Sequence, residues 1–190
     1  MGKNGSLNIS RRAFMASGSG LLVGTIAFSM PSFLTHPAQE GPKLSEELTP
    51  EELKMVNQSV MAKDMENYFG KGYSCAESLL MVSLRYLKQP EEMVWAACGY
   101  GGGMAHKDLC GFLTAGSMAI GFASGELDME RKEAKKYCSR LINRYWDWWK
   151  ITAPLHCRDI RKPGVSSKVC RRLCRLGLLG AVKIEELIKT

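Results

Sequence analysis

The chain has 190 residues, 45% of them hydrophobic and 24% charged, with a formal net charge of +7 at pH 7. Those values exclude a disordered or fibrous chain and describe one globular unit, large enough to bury a core without disulfides. Three of the positive charges, Lys3, Arg11 and Arg12, lie before residue 38, so +7 less three leaves a mildly basic +4 beyond it.

Ser10-Arg11-Arg12-Ala13-Phe14-Met15 stands just before the apolar, glycine-containing run Leu21–Phe28. This pattern reads as a twin-arginine export signal, an address read by the twin-arginine translocase, which carries proteins already folded. The run is shorter than the roughly 20 residues a mature membrane-spanning helix needs. Residues 1–38 are therefore expected to be the signal segment, 39–48 a linker and 49–190 the folded domain, with Pro37-Ala38 as a candidate processing site. An uncleaved segment would serve as a membrane anchor. The expected location is the bacterial periplasm or another exported compartment, and export argues against a nucleic-acid partner.

No later stretch alternates apolar and polar residues, whereas helix starts and stops recur, so the expected class is all-α, a compact bundle of about five to six helices. Thr49-Pro50-Glu51-Glu52 opens a helix with a capping box and a first-turn proline, and Gly70 can close it. Ser74-Cys75-Ala76-Glu77 is a second capping box, and its helix stops at Gln89-Pro90. A short helix restarts at Pro90 and ends in Gly99-Tyr100-Gly101-Gly102-Gly103. Asp108 is the expected cap of a central, buried helix from Leu109 to about Ser124. Asp128 is the expected cap of a long helix through Trp149, and the last helix is expected from about Ser167 to Lys189, bent at Gly177 and Gly180.

Seven cysteines, an odd number, cannot all pair as disulfides, and none of the compact metal-binding or haem-attachment spacings is present. Any site must be assembled from distant parts of the chain. With Ser74 and Asp108 as caps, Cys75 and Cys110 fall in first helical turns, where unpaired N–H groups favour a thiolate. Cys98 and Cys138 read as packing residues. Cys157 lies in a polar connection after Pro154, and Cys170 and Cys174 share one face of the last helix. His106 and His156 are candidate ligands or hydrogen-bond partners, His156 the better placed. The basic groups Arg131, Lys132, Lys135 and Lys136, and Lys168, Arg171, Arg172 and Arg175, read as solvated helix faces.

The order of these segments resembles the family of redox-active proteins named for the pattern C_GCAxxG_C_C. The matching residues are Gly72-Tyr73-Ser74-Cys75-Ala76-Glu77-Ser78, Gly101-Gly102-Gly103-Met104 leading to Cys110-Gly111, then Gly121, Cys157-Arg158-Asp159-Ile160 and a cysteine of the last helix. The resemblance implies a small helical domain, distantly similar to the helical part of split-Soret cytochromes, with four functional cysteines: Cys75, Cys110, Cys157 and either Cys170 or Cys174. The chain departs from the pattern at Phe112, where a small residue is usual, and at Ala115, where glycine is usual; Gly116 follows instead.

Four thiolates are what an iron–sulfur cluster requires, which makes electron transfer the leading expectation, with a redox partner still to be identified. In that reading Gly101, Gly102, Gly103 and Gly111 let backbone amides approach the cofactor. Two alternatives stand beside it: thiol–disulfide chemistry, and a structural Zn²⁺ or plain disulfides with no cofactor chemistry. A cofactor shared across a homodimer is compatible with cysteines so widely dispersed. No hydrolase signature is present.

Overall fold

A computed structural model describes residues 42, 44–166 and 170–189. The expected signal segment and its processing site lie outside these residues, as do Ser167 and Lys168. The described chain is all-helical: α1 (Pro50–Gln58), α2 (Val60–Met65), α3 (Cys75–Tyr86), a 3₁₀ helix (Glu91–Tyr100), a π-helical turn (Gly103–Lys107), α4 (Gly111–Gly125), α5 (Arg131–Thr152), α6 (Cys157–Ile160) and α7 (Arg171–Ile188). No described helix is long and apolar enough to cross a membrane.

Both capping boxes form. Thr49 accepts from the Glu52 N–H and Glu52 accepts from the Thr49 N–H; Ser74 and Glu77 repeat the arrangement at α3. The first helix does not run on to Gly70. It breaks at Ser59, which ends α1 and caps α2 by accepting from the Ala62 N–H at 3.0 Å. The Ser59 hydroxyl also donates to Glu185 of α7, and the Met61 N–H donates to the same carboxylate at 2.9 Å, so the break is held by a distant acid.

The long helix begins at Arg131 with Glu130 as its cap position, two residues later than Asp128 would place it, and runs on to Thr152. The last helix is described from Arg171 with Cys170 at its cap position. Gly177 gives α7 a close approach: an added Cβ would lie 2.9 Å from the Phe112 ring and 3.0 Å from Met65.

Helix α4 is the central element, packed against α3, α5 and α7. Its small residues Ala115, Gly116, Ala119 and Ala123 are buried and admit large neighbours. At Gly116 an added Cβ would lie 2.5 Å from the Tyr145 ring. Phe112 occupies the space under α7 and tilts against Phe69, with ring centroids 5.5 Å apart. The departure at Phe112 therefore has a packing reason.

Tyr145 is fully buried and its hydroxyl donates to the Phe112 carbonyl at 3.1 Å. Burial holds its phenol well above the ordinary range, and the nearby Cys110 adds to the effect. Because the folded protein keeps this proton after the unfolded chain has lost it, stability is unaffected below pH 10 and falls as pH rises above it. The Tyr145→Phe variant is expected to lose about 1 kcal/mol at neutral pH, through the unpaired carbonyl. Its stability should decline less steeply than the parent's above pH 10. Urea denaturation across pH 7 to 11 checks both effects; parallel profiles would refute the second.

Candidate functional site

Four cysteines are buried at helix beginnings. Cys75 is the first residue of α3, Cys110 the cap residue of α4, Cys157 the first residue of α6 and Cys170 the cap residue of α7. Their fractional exposures are 7%, 0%, 2% and 2%. The expectation for Cys75 is met, with Ser74 as its cap. Asp108 does not cap α4: its N–H donates to the Gly103 carbonyl at 3.1 Å, and the helix starts two residues later than expected. Cys110 is accordingly at the cap position and not inside the first turn.

The cause is a long-range backbone pairing. Leu109 and His156 form an isolated antiparallel bridge. The Cys110 N–H donates to the Leu155 carbonyl at 2.9 Å, and the Cys157 N–H donates to the Asp108 carbonyl at 2.6 Å. This clasp holds the chain extended through Leu109 and sets Cys110 opposite Leu155 and Cys157 opposite Asp108. It also corrects the reading of Cys157 as a residue of a polar connection.

Gly111 sets the third relationship. An added Cβ there would lie 2.6 Å from the Cys75 sulfur and 3.0 Å from the Tyr100 carbonyl oxygen. The start of α4 thus rests on the Cys75 thiol. Gly101 is as tightly placed, 2.7 Å from the Ser74 Cβ by the same measure. At Gly103 an added Cβ would lie 2.5 Å from the Asp108 backbone.

The segment between the 3₁₀ helix and the clasp is left-handed over Gly102, Gly103, Met104 and Ala105, with φ of 64°, 67°, 55° and 60°. Such a conformation costs about 1–2 kcal/mol at each residue that carries a Cβ. It turns the glycine segment over Cys75, whose thiolate form is favoured by the backbone N–H groups of Gly102, Ala76, Cys75 and Gly111.

The thiols act on one another. Burial pushes the Cys75 thiol up, against those backbone donors. Burial raises Cys110 further, reinforced by the sulfur of Cys75 and, more weakly, of Cys157 and opposed by N–H groups of Phe112 and Leu113. Cys157 is raised by burial and by Cys75, lowered by the charge and hydrogen bond of Arg161, and raised again by Cys170. Cys75, Cys110 and Cys157 thus act on one another's sulfurs, and Cys170 joins them through Cys157. Cys174 is half-buried, feels only Cys170 among the thiols, and lines a separate cavity of about 280 Å³ with Met65, Glu66, Phe69 and Leu178.

All seven cysteines are free thiols. Among the described residues, no group of three His, Cys, Asp or Glu side chains is spaced to hold one metal ion. His156 lies beside the clasp, with Nε2 3.4 Å from Asp108 and Nδ1 3.7 Å from Asp159. His106 is exposed on the π-helical turn.

A family model described as "Putative redox-active protein (C_GCAxxG_C_C)" matches residues 73–184. The chain belongs to this family. The matched span begins beside Cys75 and includes the glycine segment, the clasp and both cysteines of α7, so the C_GCAxxG_C_C region and the connected thiol group coincide. Comparison with curated proteins and with solved structures gives no significant match.

Cys138 packs against the core as expected, half-buried, whereas Cys98 does not serve as a packing residue. Cys98 is exposed and Cys138 is half-buried beside a groove at the end of α4. The 3₁₀ geometry accounts for Cys98: with three residues per turn, Val94, Ala97 and Tyr100 share the inward side and Cys98 turns out beside Trp95, which is 73% exposed. Brief treatment of the metal-free protein with iodoacetamide should therefore modify Cys98 first. Cys75, Cys110, Cys157 and Cys170 should react only under denaturing conditions, as read by peptide mass spectrometry. Early modification of Cys110 would contradict the packing described.

Gly102 and Gly103 offer a second check, since both have positive φ but only Gly103 meets backbone. Gly102→Ala should cost about 1–2 kcal/mol. Gly103→Ala should cost at least about 2 kcal/mol more, because Asp108 must move. Denaturant midpoints of the two variants give the comparison; equal losses would mean that the approach to Asp108 is not a constraint.

Proposed function

We propose that the chain is an exported redox protein whose Cys75, Cys110, Cys157 and Cys170 hold an iron–sulfur cluster used for electron transfer. The observation that carries this reading is the burial of four thiols at four helix beginnings, with Cys75 acting on Cys110 and Cys157, and Cys170 acting on Cys157. A single tetrahedral ion requires its sulfurs within about 2.3 Å of one centre, and the described side chains do not meet that spacing. A cluster distributes its thiolate ligands over several irons, which suits a wider group.

The bound cluster would supply one-electron chemistry. The chain's own part is to exclude water by burial and to aim the N–H groups of Gly102 and Gly111 at the Cys75 sulfur, which favours the more negatively charged state. Cys170 is chosen over Cys174 because it is the α7 cysteine that acts on Cys157. Export would follow from the Arg11-Arg12 signal, with residues 1–38 either removed or retained as an anchor, and folding around the cofactor would precede it.

One feature favours a second reading: Gly111, the neighbour of Cys110, lies against the Cys75 sulfur, and Cys75 is the thiol that acts most on Cys110. In that case two thiols form one disulfide and release two protons and two electrons to an external oxidant.

Anaerobic purification of the full chain, followed by assay of iron and acid-labile sulfide and a visible spectrum, tests the first reading. Iron with sulfide and a broad absorbance bleached by reductant are expected. Cys75→Ser, Cys110→Ser and Cys170→Ser should lower cluster content at least about tenfold, whereas Cys98→Ser, Cys138→Ser and Cys174→Ser should retain it. Zinc, or no metal, would overturn the cluster; a loss of two titratable thiols on oxidation, abolished in Cys75→Ser, would then favour the disulfide.

A further inference from the structure

On the outer side of α6 a cavity of about 510 Å³ is lined by Lys107, Arg158, Arg161, Lys162 and the segment Pro163–Ser166. It has the volume of a small-molecule site. Four of its described lining residues are cationic and none is acidic.

The acids nearest in sequence are engaged elsewhere. Asp108, next to Lys107, and Asp159, next to Arg158, both face His156, at 3.4 Å and 3.7 Å. Glu46 reaches Lys162 and lies 3.7 Å from Arg172. Among the described residues, Lys107, Arg158 and Arg161 form no ion pair. Three such unpaired charges, beside a Lys162 already met by Glu46, repel one another, and that repulsion is relieved by a multivalent anion.

The donors suit oxygen ligands. Arg158 and Arg161 are three residues apart at α6, and each guanidinium presents a planar fork that matches two oxygens of a phosphate or sulfate. Arg161 is steadied by donating to the Val165 carbonyl at 3.5 Å. Lys107 stands at φ 59°, a left-handed backbone that a lysine adopts only at a cost, and this conformation puts it at the cavity. Gly164, at φ 75°, has no atom within 4 Å of where a Cβ would be, so the far wall keeps open space beside the backbone.

We propose that this cavity binds a small tetrahedral dianion: inorganic phosphate or sulfate, or the phosphoryl group of a monoester. The assignment does not depend on what the cysteines hold. Because the Arg161 charge also acts on the Cys157 thiol, the anion would lie against the outer wall of the cysteine group.

Calorimetric titration of the full chain with inorganic phosphate, with sulfate and with glycerol 3-phosphate, at low ionic strength, tests the site. Saturable binding at one anion per chain is expected. Equal affinity for phosphate and the ester would identify a free oxyanion as the ligand, and tighter binding of the ester would identify the phosphoryl end of a larger molecule.

Lys107→Glu combined with Arg158→Glu should weaken binding at least about tenfold. Lys135→Glu combined with Lys136→Glu, the same change of charge on the exposed side of α5, should change it less than about twofold. The milder Arg158→Gln, at an exposed position, should still weaken binding several-fold and serves should the double reversal fail to fold. Absence of saturable binding by all three anions, equal losses in the two double variants, or unchanged binding in Arg158→Gln would overturn the proposal.

Discussion

The contact between Gly111 and the Cys75 sulfur governs the arrangement of the domain. With an added Cβ only 2.6 Å from that sulfur, α4 can begin where it does only if its first residue has no side chain. The same helix then admits the Tyr145 ring over Gly116, while Gly177 of α7 admits the Phe112 ring from the other side. Three close approaches along α4 thus set its distance from α3, α5 and α7, and a cysteine pair lies at the first of them. Packing and site are consequently not separable here: an added methyl at Gly111 would move both the central helix and the Cys75 thiol.

The second constraint is the clasp of Leu109 with His156. It joins segments nearly fifty residues apart through two backbone hydrogen bonds, and it stops α4 from extending back to Asp108. The left-handed run over Gly102–Ala105 reconciles the two constraints, since the chain must leave the 3₁₀ helix, pass over Cys75 and enter the clasp within a few residues. Met104 and Ala105 take part at positive φ despite carrying a Cβ. Backbone held in that region persists only where surrounding contacts over-determine it, and here those contacts are Gly103 against Asp108 and Gly101 against Ser74.

What was legible in the sequence was local. The Thr49 and Ser74 capping boxes, the Pro50 start and the Cys75 position depend on residues within one turn, and each formed as read. The start of α4 was not legible because Asp108 is a good cap by composition, and the bridge that takes it away comes from His156. The break at Ser59 was hidden in the same manner, since Glu185 of α7 supplies the partner that makes two helices out of one pattern. Cys98 was misread for another reason: a period of 3.6 carries Val94 and Cys98 on one side, whereas the 3₁₀ period of three places Val94 with Ala97. Competition between Cys170 and Cys174 could not be decided from spacing, because both lie on one side of α7 and only the position of α6 distinguishes them.

Burial of the thiols bears directly on the chemistry such a group can support. A neutral thiol in an apolar setting is a weak attacking group, and four of them away from solvent are poorly placed for exchange with a large partner. A centre that gains negative charge in such a setting needs compensation from fixed dipoles, since water is excluded. The chain supplies it unevenly. Cys75 receives several backbone donors and Cys157 receives Arg161, whereas Cys110 is the most deeply buried and is opposed by its neighbours. Charge is therefore stabilised most readily on the side of Cys75 and Cys157, the latter joined through Arg161 to the basic wall of the outer cavity. An electron arriving at the group would be held toward that side, away from the more deeply buried Cys110.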